Sequence, residues 1–207
     1  MIKEFEPSPV AGNFPVLIEF GKMTALSGVE AFLEWYQSNK DRIDDLIKNC
    51  GSLLLRDTYI TKDEDFFQFV DIAAANGTLN YTSGNSPRLK LAKGVYTSTE
   101  FPADREIAIH NELSYSSDWP GKIYFCSILP AETGGETPIA NSHFIYRDIP
   151  AAIRDEFEYR QIAYIRNLHG GSGIGASWKD TFETEDRDHV AAILTQAGID
   201  YEWKPDD

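Results

Sequence analysis

One imidazole and one carboxylate separated by a single residue, His110-Asn111-Glu112, form the pair in this chain best suited to hold a metal ion. They end the run Glu106-Ile107-Ala108-Ile109-His110-Asn111-Glu112, whose apolar alternation predicts a strand. Successive strand side chains point to opposite faces, so His110 and Glu112 project together while Asn111 projects away. A nitrogen and an oxygen converging on one point supply two members of a 2-His-1-carboxylate facial triad, a set that suits Fe(II) and leaves coordination positions open. A solvated strand face gives the same spacing, so the pair needs context before it means iron.

A second feature is Thr133-Gly134-Gly135-Glu136-Thr137-Pro138. Glycines without side chains let a backbone approach a small molecule closely, and the Thr137 hydroxyl can donate to a carboxylate oxygen. The same residues read equally as a hairpin turn followed by a strand. Arg56 and Arg166 each end or follow an apolar run, where a cation can meet a substrate carboxylate or pair with one of the many acids. Tyr115 and Trp119 are candidates to line a substrate pocket, although Trp119-Pro120 also reads as packing. The run Gly170-Gly171-Ser172-Gly173-Ile174-Gly175 lacks the order of a dinucleotide-binding loop and no Lys-Ser/Thr follows it, so it reads as a surface loop.

The elements that must position these residues follow from periodicity. Ser27-Gly28-Val29-Glu30 has the form of a capping box, and Val29, Phe32, Leu33, Tyr36, Ile43, Leu46 and Ile47 continue it at helical spacing, with a break allowed near Ser38-Asn39. Leu53-Leu54-Leu55 predicts a buried strand. Thr61-Lys62-Asp63-Glu64 repeats the capping box before a helix that stops at Asn76-Gly77. The stretch 80–93 reads as a long loop. Strands are predicted over 94–99, 107–112, 123–129, 136–140 and 161–165, and helices over 150–159 and from a Thr184 cap to Gly198.

Composition narrows the class. With 207 residues, 42% of them hydrophobic, the chain is long enough and apolar enough to bury a core. A formal net charge of −14 argues against nucleic acid and anionic membrane as partners, since both are met by clustered Lys and Arg. Cys50 and Cys126 have no metal-ligand spacing and read as free thiols of a reducing compartment. The N-terminal residues lack a signal-peptide pattern and no apolar run is long enough to span a bilayer, so the expected location is the cytoplasm.

Several motifs in order resemble one family. They are Gly51-Ser52-Leu53-Leu54-Leu55-Arg56-Asp57, His110-Asn111-Glu112-Leu113-Ser114-Tyr115, Thr133 to Pro138, Tyr164-Ile165-Arg166-Asn167, and Ser177-Trp178-Lys179-Asp180-Thr181-Phe182-Glu183-Thr184-Glu185-Asp186. Together they resemble the taurine dioxygenase-like (TauD/TfdA) family of Fe(II)/2-oxoglutarate-dependent oxygenases, nearest to its syringomycin-biosynthesis-type branch. The resemblance implies an α+β chain with a double-stranded β-helix (a jelly roll of the clavaminate synthase-like kind) and flanking helices. It also implies iron ligation by His110 and Glu112 and a 2-oxoglutarate contact from Thr137. A carboxylate at position 112, where related halogenases have a small residue, implies hydroxylation or desaturation. The family's distal histidine and the arginine after it fall beyond the equivalent of Tyr201-Glu202-Trp203, so the chain is expected to stop before them at Asp207. Among His143, His169 and His189, only His169 is kept as a substitute third ligand.

The expectation is therefore a single oxygenase domain over 1–207, with a helical cap at about 27–77 and a β core at about 94–207 whose C-terminal part is missing. Its function would be hydroxylation of an unactivated carbon in a small molecule, such as an amino acid or a carrier-protein-tethered aminoacyl group, using Fe(II) and 2-oxoglutarate. The alternative is a non-catalytic, shortened jelly roll that serves as a binding or interaction module. In either case a second copy or a further C-terminal segment would complete the fold by covering unpaired strand edges.

Overall fold

A helix of 22 residues anchors the fold in the computed structural model, which describes residues 8–9, 14–23, 27–74, 77–79, 89–98, 106–116 and 119–205. The chain divides into two compact units, Met1–Thr78 with Ile123–Ile149, and Leu79–Lys122 with Pro150–Asp207.

The first unit holds β1 (Ser8–Pro9), β2 (Val16–Glu19), α1 (Phe20–Met23), α2 (Val29–Cys50), β3 (Leu53–Arg56) and α3 (Asp63–Ala73). β1 pairs antiparallel with β2, and β2 pairs parallel with β3 from Val16↔Leu53 to Glu19↔Arg56. Parallel neighbours need a crossover, and α2 supplies it. β3 lies at the edge of the order β1-β2-β3, so Leu53, Leu54 and Leu55 are half-buried where full burial was expected.

α2 buries Phe32, Leu33, Trp35, Tyr36 and Ile43 on one stripe. No break occurs at Ser38-Asn39. Ser38 Oγ donates to the Glu34 carbonyl and Asn39 Nδ2 to the Trp35 carbonyl, each at 2.8 Å, so side chains that favour turns are tied to the preceding helical turn. The helix begins on Gly28, φ 102°, without the side-chain cap expected from Ser27, and ends on Gly51 in the left-handed region. Around it the rings of Phe20, Phe32, Phe69 and Tyr124 build an aromatic core: Phe20 meets Phe32 edge-on at 5.5 Å, and Phe69 meets Tyr124 at 5.7 Å. At the start of α3 the buried Asp65 carboxylate accepts from the Thr61 N–H at 3.1 Å and from its hydroxyl at 3.4 Å, the reach-back expected of Glu64.

This unit also contains α4 (Ser142–Asp148), which periodicity did not mark. Asn141 caps it by accepting from the His143 N–H at 3.0 Å.

In the second unit β4 (Lys90–Ala92) and β5 (Val95–Tyr96) form a hairpin, so part of the expected loop at 80–93 is strand; residues 80–88 lie outside the described set. α5 (Ala151–Arg160) falls where expected, α6 (Trp178–Phe182) is an addition, and α7 (Arg187–Gln196) ends before Gly198 at φ 67°. The cap of α7 is Asp186, which accepts from the N–H groups of Asp188 and His189, and Thr184 instead accepts from the Asp186 N–H.

The segments 107–112, 123–129, 136–140 and 161–165, predicted as strands, form no ladder among the described residues. Alternation fixes which way side chains face but supplies no partner for the backbone groups, and a strand exists only as a pair. The facing survives: Tyr124 and Cys126 are half-buried while Ile123, Phe125 and Leu129 are exposed. No helix of the described residues is long and apolar enough to cross a membrane.

Candidate metal-binding pair and its surroundings

His110 and Glu112 come together without a strand ladder. The residues from Glu112 to Tyr115 make a turn in which the Ser116 N–H donates to the Leu113 carbonyl at 2.9 Å. Leu113 sits at φ 52° with its side chain buried, and this fixes where the chain reverses after Glu112. His110 Nε2 lies 3.9 Å from Glu112 Oε2.

The other ring nitrogen sets the chemistry of that contact. His110 Nδ1 is 2.8 Å from the Ala108 carbonyl oxygen. A carbonyl only accepts, so Nδ1 carries the proton, and in the neutral ring Nε2 presents a bare lone pair. Lone pair and carboxylate are both acceptors, and both can be donors to one cation. With metal bonds to nitrogen and oxygen of about 2.1 Å, neighbouring ligands of a facial set stand about 3.0 Å apart, so a metal would draw the two side chains closer than they lie here. A backbone carbonyl holding the far nitrogen is the usual support of a metal-ligating histidine. The donor types suit a divalent metal, and the Ala108 carbonyl that orients the ring is something the side-chain pattern could not reveal.

The other candidates are placed as follows. Thr137 is exposed and lies in the first unit, whereas His110, Glu112 and His169 belong to the second. Gly134 and Gly135 both have positive φ, 69° and 79°, and a Cβ on Gly135 would come within 2.8 Å of the Ala131 Cβ, so the turn requires glycine there. His169 has both ring nitrogens engaged by its own loop: Nδ1 accepts from the Gly171 N–H at 3.1 Å, and Nε2 therefore donates to the Gly175 carbonyl at 3.1 Å. His143 and His189 are exposed in the first turns of α4 and α7. Among the described residues no three of His, Cys, Asp and Glu gather into a metal-binding group. Tyr115 packs edge-on against Tyr164 at 6.4 Å, while Trp119, Arg56 and Arg166 are exposed.

The family model for the taurine catabolism dioxygenase TauD, TfdA family matches residues 22–197. The chain belongs to the TauD/TfdA family. It is 40% identical over 164 residues to the dapdiamide synthesis protein DdaC of Enterobacter agglomerans, covering 79% of this chain and 49% of that protein. It is 29% identical over 206 residues to a clavaminate synthase-like protein of Arabidopsis thaliana, covering 96% of this chain and 60% of that one. The chain thus spans about half to three-fifths of the length of these relatives. TauD/TfdA proteins generally depend on Fe(II) and 2-oxoglutarate. The His110–Glu112 pair, with its tied Nδ1, is a donor set of the kind that such an iron takes.

Proposed function

We propose that this chain carries the His110–Glu112 half of the iron site of an Fe(II)/2-oxoglutarate-dependent oxygenase that hydroxylates an unactivated carbon of a small molecule. The single observation that carries the reading is the pairing of a bare Nε2 with a carboxylate at 3.9 Å, the far nitrogen being held by Ala108. When bound, Fe(II) with 2-oxoglutarate and dioxygen supplies the oxidising power to turn C–H into C–OH, with the cosubstrate decarboxylated to succinate. His110 and Glu112 would hold the metal, and the Ala108 carbonyl fixes the imidazole tautomer. His169, whose ring nitrogens are both occupied within its own loop, is left out of this ligand set.

Within this reading the chain is one oxygenase domain with a jelly-roll core, located in the cytoplasm. Membership of the family and likeness to a dapdiamide synthesis protein support a substrate from small-molecule biosynthesis, an amino acid or an aminoacyl group on a carrier protein. The test is succinate release from 2-oxoglutarate under air with Fe(II), offered free amino acids and carrier-loaded aminoacyl groups. Release above that of a His110→Ala variant is expected; equal release by both would overturn the reading.

A second reading has its own observation. Ile123, Phe125 and Leu129 are exposed at 47%, 63% and 90% in a segment that has no ladder partner among the described residues. This supports an interaction module completed by a strand from a second copy or from a further segment. Sedimentation of the purified chain separates a stable dimer from a monomer.

A further inference from the structure

α6 carries two buried polar atoms that meet no hydrogen-bonding group among the described residues: Trp178 Nε1 and Thr181 Oγ1. The two residues are 4% and 6% exposed, and three positions apart on a helix they share a face. Leaving a buried donor unmet destabilises the fold, because the group has given up its hydrogen bond to water. An indole N–H can only donate, so this face calls for an acceptor.

The neighbours indicate which acceptor. Trp203 packs edge-on against Trp178 at 5.2 Å, and the Arg187 guanidinium lies over the Trp203 ring at 4.7 Å. Arg187 is exposed and makes no ion pair among the described residues, in a chain with 33 carboxylates to 19 Lys and Arg. The adjoining glycine loop is clamped to this helix, since the Trp178 N–H donates to the His169 carbonyl at 3.0 Å. Two neutral donors and a cation not already paired form a set suited to a carboxylate.

We infer that the inner face of α6 is a recognition site for a small-molecule carboxylate, with Trp178 and Thr181 as its neutral donors and Arg187 as its cation. The site goes beyond the iron reading: none of its residues belongs to the His110–Glu112 pair, and its occupancy needs no metal.

The chain has four tryptophans, so its indole N–H resonances are few enough to follow one by one in ¹⁵N-labelled protein. Trp178→Phe keeps a ring in the core and assigns the Trp178 signal by its disappearance. Acetate, L-alanine and succinate are titrated in the presence of EDTA, with acetamide as the uncharged control. The proposal expects a saturable downfield shift of the Trp178 signal with at least one carboxylate, weakened about tenfold or more by Arg187→Gln, with Thr181→Val also weakening it. It is overturned if the signal ignores all three carboxylates, if acetamide shifts it as well, or if Arg187→Gln leaves binding unchanged. A cross-peak from this N–H to water that persists at saturating carboxylate would equally overturn it. The first measurement is made on the unaltered chain, so a variant that fails to fold does not remove the test.

Discussion

His110 Nε2 and Glu112 Oε2 face each other at 3.9 Å, and the proton of the imidazole sits on the far side against Ala108. Two acceptors in that relation bind a divalent cation together and each more weakly alone. Glu112→Gln keeps the shape and removes the charge. It is expected to lower the affinity for Co(II), an air-stable substitute for Fe(II), by at least the 10–100-fold that loss of an outer-shell partner costs. Calorimetric titration measures it.

His169 behaves differently because its ring holds a loop. Its nitrogens accept from Gly171 and donate to Gly175, and a Cβ on Gly173 would lie 2.7 Å from the ring. His169→Ala is expected to leave Co(II) affinity unchanged while the Gly171 amide exchanges faster with deuterium. Gly173→Ala is expected to open the same loop by collision with the ring. A large loss of metal affinity in His169→Ala would instead make this histidine a ligand.

The cap of α7 can be tested by comparison within one turn. Asp186 accepts from two backbone N–H groups, at 2.9 and 3.2 Å, whereas Thr184 accepts from one, at 3.2 Å. Asp186→Ala should cost about 1 kcal/mol of stability, within a usual range of about 0.5–2. Thr184→Ala should cost less. Urea denaturation midpoints of the two variants give the order.

Alkaline pH should destabilise the first unit through two phenols. Burial pushes the Tyr36 hydroxyl well above the ordinary phenol range, and Tyr124 and Asp44 add to the shift. Burial also raises Tyr124, with Asp44 assisting and Lys40 opposing. A raised folded-state pKa keeps the proton on the native chain after the unfolded chain has lost it. The stabilisation is therefore fully present below the unfolded value of about 10 and is lost as pH rises beyond it. Stability measured by urea denaturation should be insensitive to these groups at pH 7–9 and should fall above about 10. Tyr36→Phe should flatten that fall.

Much of the helical framework could be read from spacing because α2, α3 and α7 each bury apolar residues, while α5 buries none. The short helices α4 and α6 escaped because seven and five residues hold too little periodicity to register, although their Asn141 and Ser177 caps were visible signals. Strands were overestimated. The runs 107–112 and 123–129 alternate as strands do, but ladder formation depends on a partner that local pattern does not encode. The pairing of His110 with Glu112 was legible from their i, i+2 relation. What turns Nε2 of the imidazole toward the carboxylate was not, since it comes from the backbone oxygen of Ala108 and the reversal at Leu113. The orphan donors of Trp178 and Thr181 likewise depend on burial, which no residue type announces.

An anaerobic titration of the chain with Fe(II) and 2-oxoglutarate, followed in the visible region, tests the central claim most directly. A weak charge-transfer band of iron-chelated 2-oxoglutarate is expected, saturating near one metal per site and absent in Glu112→Ala. Folded protein that gives no band, or a band of unchanged strength in Glu112→Ala, would contradict it.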